Sequence, residues 1–239
     1  RAALRRAEEG IDESLPGPVA AGLEAVRLSL FLRIEIHDGN RESIDEAGRQ
    51  LRNSLENGAR IVESDRARAS VSLAAYFAFY ESRDRAREVI DDMMGEDGPT
   101  RIRLRMQALL GNLELRGCAW DRAEYLFKQG RKTATERNDV GLTAIFLNNL
   151  GCTLMERGRW AAAERALQSA DSYYRSANAN SQWVVSPVLN RGNAALYQLQ
   201  ASHARKLFNQ VLDSAQAMES KKYEAEARAC LGLLDLLAG

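Results

Sequence analysis

Proline, cysteine and histidine are scarce in this chain, with four, three and two residues among 239. So few prolines leave long helices uninterrupted, and the chain lacks the low-complexity stretches of a disordered segment. The histidines, His37 and His203, lie far apart with no cysteine at ligand spacing. A zinc site would need three or four convergent ligands, so no metal site is expected. Cys118, Cys152 and Cys230 are odd in number, widely spaced and outside any CxxC. Each lies in an apolar helical context, which reads as buried free thiols in a reducing, cytoplasmic setting.

An excess of one charge is missing as well. Lys plus Arg and Asp plus Glu both number 33. Nucleic-acid surfaces show a basic excess because phosphate neutralisation drives their affinity, so no direct nucleic-acid contact is expected. No apolar run approaches the roughly 18 residues of a membrane span; the front stretch from Leu28 to Ile36 is broken by Arg33 and Glu35. GxxxxGK[ST], GxGxxG, GxSxG and HExxH are all absent, which removes the commonest nucleotide and hydrolase motifs. No cofactor is therefore expected. What remains is a chain 45% hydrophobic and 28% charged, sufficient for a buried core and a solvated surface.

That content is organised as a repeat. Ala7, Ala47, Ala86, Ala123, Ala163 and Ala204 follow one another at spacings of 40, 39, 37, 40 and 41 residues. Four residues after each stands a large apolar side chain: Ile11, Leu51, Ile90, Phe127, Leu167 and Phe208. Twelve residues before the last four alanines stand Ala74, Gly111, Gly151 and Gly192, and Gly232 follows Gly192 by 40. Two antiparallel helices approach closely only where neither carries a large side chain. The small residue of a first helix and the alanine of a second supply that crossing, and the apolar residue one turn on fills the groove beside it.

From Leu150 to Glu164 the chain reads Leu-Gly, then Leu154, Gly158, Trp160 and Ala163. This segment resembles the signature of the tetratricopeptide repeat superfamily. The unit from Gly111 matches it with Gly117, Trp120 and Ala123; the unit from Gly192 keeps Ala204 and Phe208, and the unit around Ala47 carries Glu35 in place of glycine. The resemblance implies an all-α, right-handed superhelical solenoid of antiparallel helix pairs, with no β-sheet. Its units span about 1–17 (partial), 20–58, 66–95, 101–138, 141–178, 183–220 and 222–239 (partial). First helices are predicted over 20–37, 66–80, 101–116, 141–157, 183–199 and 222–237. Second helices are predicted over 2–14, 41–57, 83–94, 120–137, 160–177 and 201–219, with turns at Gly39-Asn40, Gly95 to Pro99 and Asn178 to Ser181. Ser186-Pro187 reads either as a helix cap followed by proline or as a kink in a helix already under way at Trp183. Half-units at both ends read as a fragment of a larger protein.

Repeats near 40 residues exceed the usual 34. They resemble the long-repeat sensor regions of bacterial LuxR and maltose-activator-type regulators. What this implies is a non-catalytic, cytoplasmic protein-interaction or ligand-sensing module of a signalling or transcription regulator. The alternative is a constitutive assembly adaptor without a switch. The expected partner is a protein or peptide, with a small signalling ligand as a further option; no membrane contact is expected, and oligomerisation stays open. In this family the first helices line the binding face. The register carried over residue by residue puts Arg68, Arg105, Asn112, Asn148, Met155, Asn193 and Tyr197 there. Asparagine is poor inside helices, so its recurrence at Asn112 and Asn193, and at Asn149 and Asn190, points to amides bonding either a bound peptide or a neighbouring helix. Trp120 and Trp160 share one repeat position and are expected to cover the turn beneath them, while Trp183 lies in a linker.

Overall fold

The computed structural model describes residues 17–38, 41–57, 61, 63–93, 100–176 and 184–238. The described residues form eleven α-helices and no strand: α1 (Gly17–Asp38), α2 (Arg41–Asn57), α3 (Glu63–Tyr80), α4 (Arg83–Met93), α5 (Thr100–Arg116), α6 (Trp120–Glu136), α7 (Val140–Glu156), α8 (Trp160–Ser176), α9 (Val185–Tyr197), α10 (Ala201–Ala217) and α11 (Lys221–Ala238). The chain is all-α, and its helix boundaries follow the repeat register closely. The helix predicted over 2–14, Trp183, and the turns at Gly39-Asn40, Gly95 to Pro99 and Asn178 to Ser181 lie outside the described residues.

Backbone contacts divide the chain into two units, residues 1–110 and 111–239, with the boundary inside α5. In the second unit a finer period appears. Helices α6, α7 and α8 each run 17 residues and begin 20 apart, as do the starts of α10 and α11. Their turns are built alike. Cys118, Asn138, Gly158, Leu199 and Glu219 each take a left-handed conformation, with φ between 53° and 68°. The left-handed residue donates its N–H three residues back, and the next residue donates five back: Cys118 to Leu115 and Ala119 to Glu114, or Leu199 to Leu196 and Gln200 to Ala195. This is the Schellman pairing, which satisfies carbonyls that a helix end leaves orphaned. Only one of the five left-handed residues is glycine.

The turn therefore differs from the expectation at Gly117, which is an ordinary helix-end residue; Cys118 holds the left-handed position. Cys118 is consequently exposed, not buried, and Cys152 and Cys230 are half-buried. A side chain in the left-handed region costs roughly 1–2 kcal/mol, which glycine avoids. Leu199 is 87% exposed, so its side chain contributes little packing in return. Leu199→Gly is expected to raise stability by about 0.5–1 kcal/mol after glycine's larger unfolded-state entropy is deducted. A urea melt of the variant beside the parent checks the sign.

Consecutive helices of the second unit pack against one another from α6 to α11, and α7 also touches α9. Ala123, Ala163 and Ala204 are completely buried, as are Phe127, Leu167 and Phe208 four residues on. Each large residue covers the glycine 16 before it. A β-carbon at Gly111, Gly151 or Gly192 would stand 2.4, 2.6 or 2.4 Å from Phe127, Leu167 or Phe208. In the first unit α1 packs on α2 and α3, while α3 packs on α2 and α4. Ala47, Ala74 and Ala86 are completely buried there, with Leu51 and Ile90. Tyr76 closes on Gly48 and donates its hydroxyl to Asp45 Oδ1 at 3.3 Å. Burial, followed by the Asp45 carboxylate, pushes the Tyr76 phenol up to about 12.

Pro187 lies in the first turn of α9, where a helix has no use for its missing N–H, and it is buried. Val184, not Ser186, is the cap residue. His37 sits within α1 instead of in a turn, and His203 is exposed on α10.

Candidate partner-binding surfaces

In the second unit, α7, α9 and α11 are the first helices of their pairs, and amide side chains run between them. Asn190 Nδ2 on α9 donates to Asn148 Oδ1 on α7 at 2.9 Å, and Asn148 Nδ2 donates to Asn149 Oδ1 at 3.3 Å. Asn193 Oδ1 accepts the Cys230 thiol of α11 at 3.8 Å. All four asparagines are half-buried. Asn148 is thus used mainly between helices. Asn190 Oδ1 and Asn193 Nδ2 have no partner among the described residues, so this row keeps one acceptor and one donor for an incoming group.

The other predicted site residues divide. Asn112 is half-buried on α5, whereas Met155 is buried and offers little contact surface. Tyr197 is two-thirds exposed at the end of α9, where its ring leans on Trp160 with centroids 6.1 Å apart. Its place is thus beside the start of α8, over the turn that Trp160 was expected to cover. Arg68 and Arg105 belong to the first unit. Arg68 is exposed on α3, 4.0 Å from Asp65, and Arg105 is half-buried on α5. Asn149 and Asn190 stood out in the sequence as a repeated amide position, and they complete the row.

The residue after each register alanine forms an ion pair further along the chain. Glu124 meets Arg157 and Arg159, each at 3.0 Å, and Lys128 at 2.6 Å. Glu164 meets Arg191 at 2.8 Å, and Arg205 meets Asp235 at 2.6 Å with the signs exchanged. Of these only Glu124 is buried. Burial draws its pKa upward, but hydrogen bonds from Lys128 and Arg159 outweigh that and hold it below the usual carboxylate value. The exposed pairs contribute little by comparison.

A second surface, in the first unit, left no trace in the repeat pattern. A channel of about 850 Å³ runs between α2 and α4, with α3 beneath. Leu55, Ser70, Leu73 and Phe77 form its floor, Val89 and Met93 one wall, and charged side chains its rims.

The thiols of this chain are not primed for nucleophilic attack where burial governs them. Desolvation pushes Cys152 up to about 12 and raises Cys230, so both stay protonated at neutral pH. Among the described residues no three His, Cys, Asp or Glu side chains gather as a metal site would require, and no helix is long and apolar enough to cross a membrane. Neither a protein-family model nor a curated protein sequence matches the chain.

Proposed function

We propose that the chain is a non-catalytic binding scaffold of the tetratricopeptide type, each unit a stretch of right-handed solenoid. On this reading it serves as the sensor or docking region of a bacterial signalling or transcription regulator. One observation carries it: the small residue of each first helix receives the large apolar residue 16 positions later, at Gly111, Gly151 and Gly192 alike. Such stacking spends the apolar faces on neighbouring helices and leaves the polar faces of the first helices for a partner. The amide row supplies side chains that pair with a peptide backbone whatever its sequence, and Tyr197 supplies an exposed aromatic anchor.

The test separates binding from packing. Asn193→Ala combined with Tyr197→Ala is expected to weaken partner binding by about 1–2 kcal/mol at an unchanged melting temperature. Asn148→Ala, which breaks the link to Asn190, is expected to lower the melting temperature. The partner is found by photocrosslinking from position 193, with position 203 on α10 as control. Crosslinks confined to position 203 would move the site to the second helices and overturn this reading.

A further inference from the structure

We infer that the channel between α2 and α4 is a separate docking site, which takes a Lys/Arg-bearing segment of a partner protein. The argument rests on which charges along it are already engaged. Arg52 Nη1 lies 3.3 Å from Glu81 Oε1, and Arg85 pairs with the same carboxylate. Arg85 also caps the Phe77 ring, 6.0 Å from its centroid. Arg66 Nη1 donates to the Leu55 carbonyl at 3.0 Å. All three lining cations are therefore held by groups of the protein itself.

The carboxylates are not. Glu56 on one rim and Glu88 and Asp92 on the other are exposed and have no partner among the described residues. Glu88 and Asp92 are one turn apart on α4, so both point along the same wall. With Glu81 counted, the channel carries one net negative charge, and its free hydrogen-bonding capacity at the rims is that of acceptors. Long basic side chains suit such a site doubly, because their aliphatic stems lie on apolar surface while the heads reach charge. Phe77, Val89 and Met93 supply that surface.

An independent feature lies on the floor. Ser70 is 7% exposed, and its hydroxyl makes no hydrogen bond to any described residue. A polar group withdrawn from water without a partner costs free energy, which a peptide backbone N–H or C=O reaching the floor would recover. The channel volume falls within the range of roughly 300–1,000 Å³ usual for ligand sites. An acidic segment would meet three free carboxylates and no available cation. A membrane surface, whose charged headgroups are anionic, is disfavoured on the same ground.

The inference does not depend on the amide row, and its test reads the channel alone. The intact protein is titrated with a dye-labelled helical peptide bearing arginine at every fourth position on an alanine–leucine background, and with its glutamate counterpart. The arginine peptide is expected to bind and the glutamate peptide not to. Glu88→Lys with Asp92→Lys should weaken binding by about tenfold or more. Glu42→Lys with Asp213→Lys makes the same change in net charge away from the channel and should leave affinity within about twofold. Val89→Trp narrows the channel without altering charge and should weaken binding as well. Where the reversal variant loses its helical circular dichroism, Glu88→Gln with Asp92→Asn carries the comparison. Equal losses from the two charge-reversal pairs, preference for the glutamate peptide, or no binding of either peptide would overturn the proposal.

Discussion

Phe127→Ala is expected to lower the unfolding free energy by about 3–5 kcal/mol, the range for deleting a fully buried aromatic ring. Phe127 has no solvent exposure and sits on Gly111. The ring fills a notch that exists only because the first helix carries no β-carbon there, so its removal leaves a void between α5 and α6. That void cannot close by a small shift, because the next register residue on α6, Ala123, is also completely buried. Chemical denaturation with circular dichroism at 222 nm measures the change, and a loss below about 1 kcal/mol would contradict the packing described. Phe208→Ala, over Gly192, should behave alike because the notch is the same.

Gly130→Leu tests the opposite error, too much volume. A β-carbon at Gly130 would stand 2.2 Å from two atoms of the Phe146 ring, which is itself completely buried and has nowhere to turn. Leucine favours helix over glycine by close to 1 kcal/mol, but overpacking costs about 1–3 kcal/mol and here belongs at the top of that range or above it. The steric term wins, and α6 should separate from α7. Gly232→Leu makes the same exchange on α11, where nothing lies within 4 Å. There only the propensity term acts, so stability should rise by about 0.5–1 kcal/mol. Melting curves that move in the same direction for the two variants would refute this account.

These two glycines show where sequence reasoning reaches and where it stops. The crossing glycines Gly111, Gly151 and Gly192 were legible, because the demand for a small residue opposite a large one repeats at fixed spacing. Gly130 was not, because its partner Phe146 belongs to the following helix and the pair occurs once. The amide positions were legible as a recurrence of asparagine, yet Asn148 could equally have faced a ligand or a helix. The offset between α7 and α9 decided that, by bringing Asn190 to 2.9 Å.

The sequence by itself determined the helical class, the repeat register and the alanines at the crossings, since each follows from side-chain volume and periodicity along one strand of chain. Tertiary structure decided the rest. It placed the left-handed residue at Cys118 despite the glycine beside it, because two packed helices dictate where the turn must bend. It left Met155 buried and Tyr197 leaning on Trp160, since a register position names a helix face and not what covers it. It also opened the channel above α3. A void is the complement of how three helices pack, and no single helix carries its pattern.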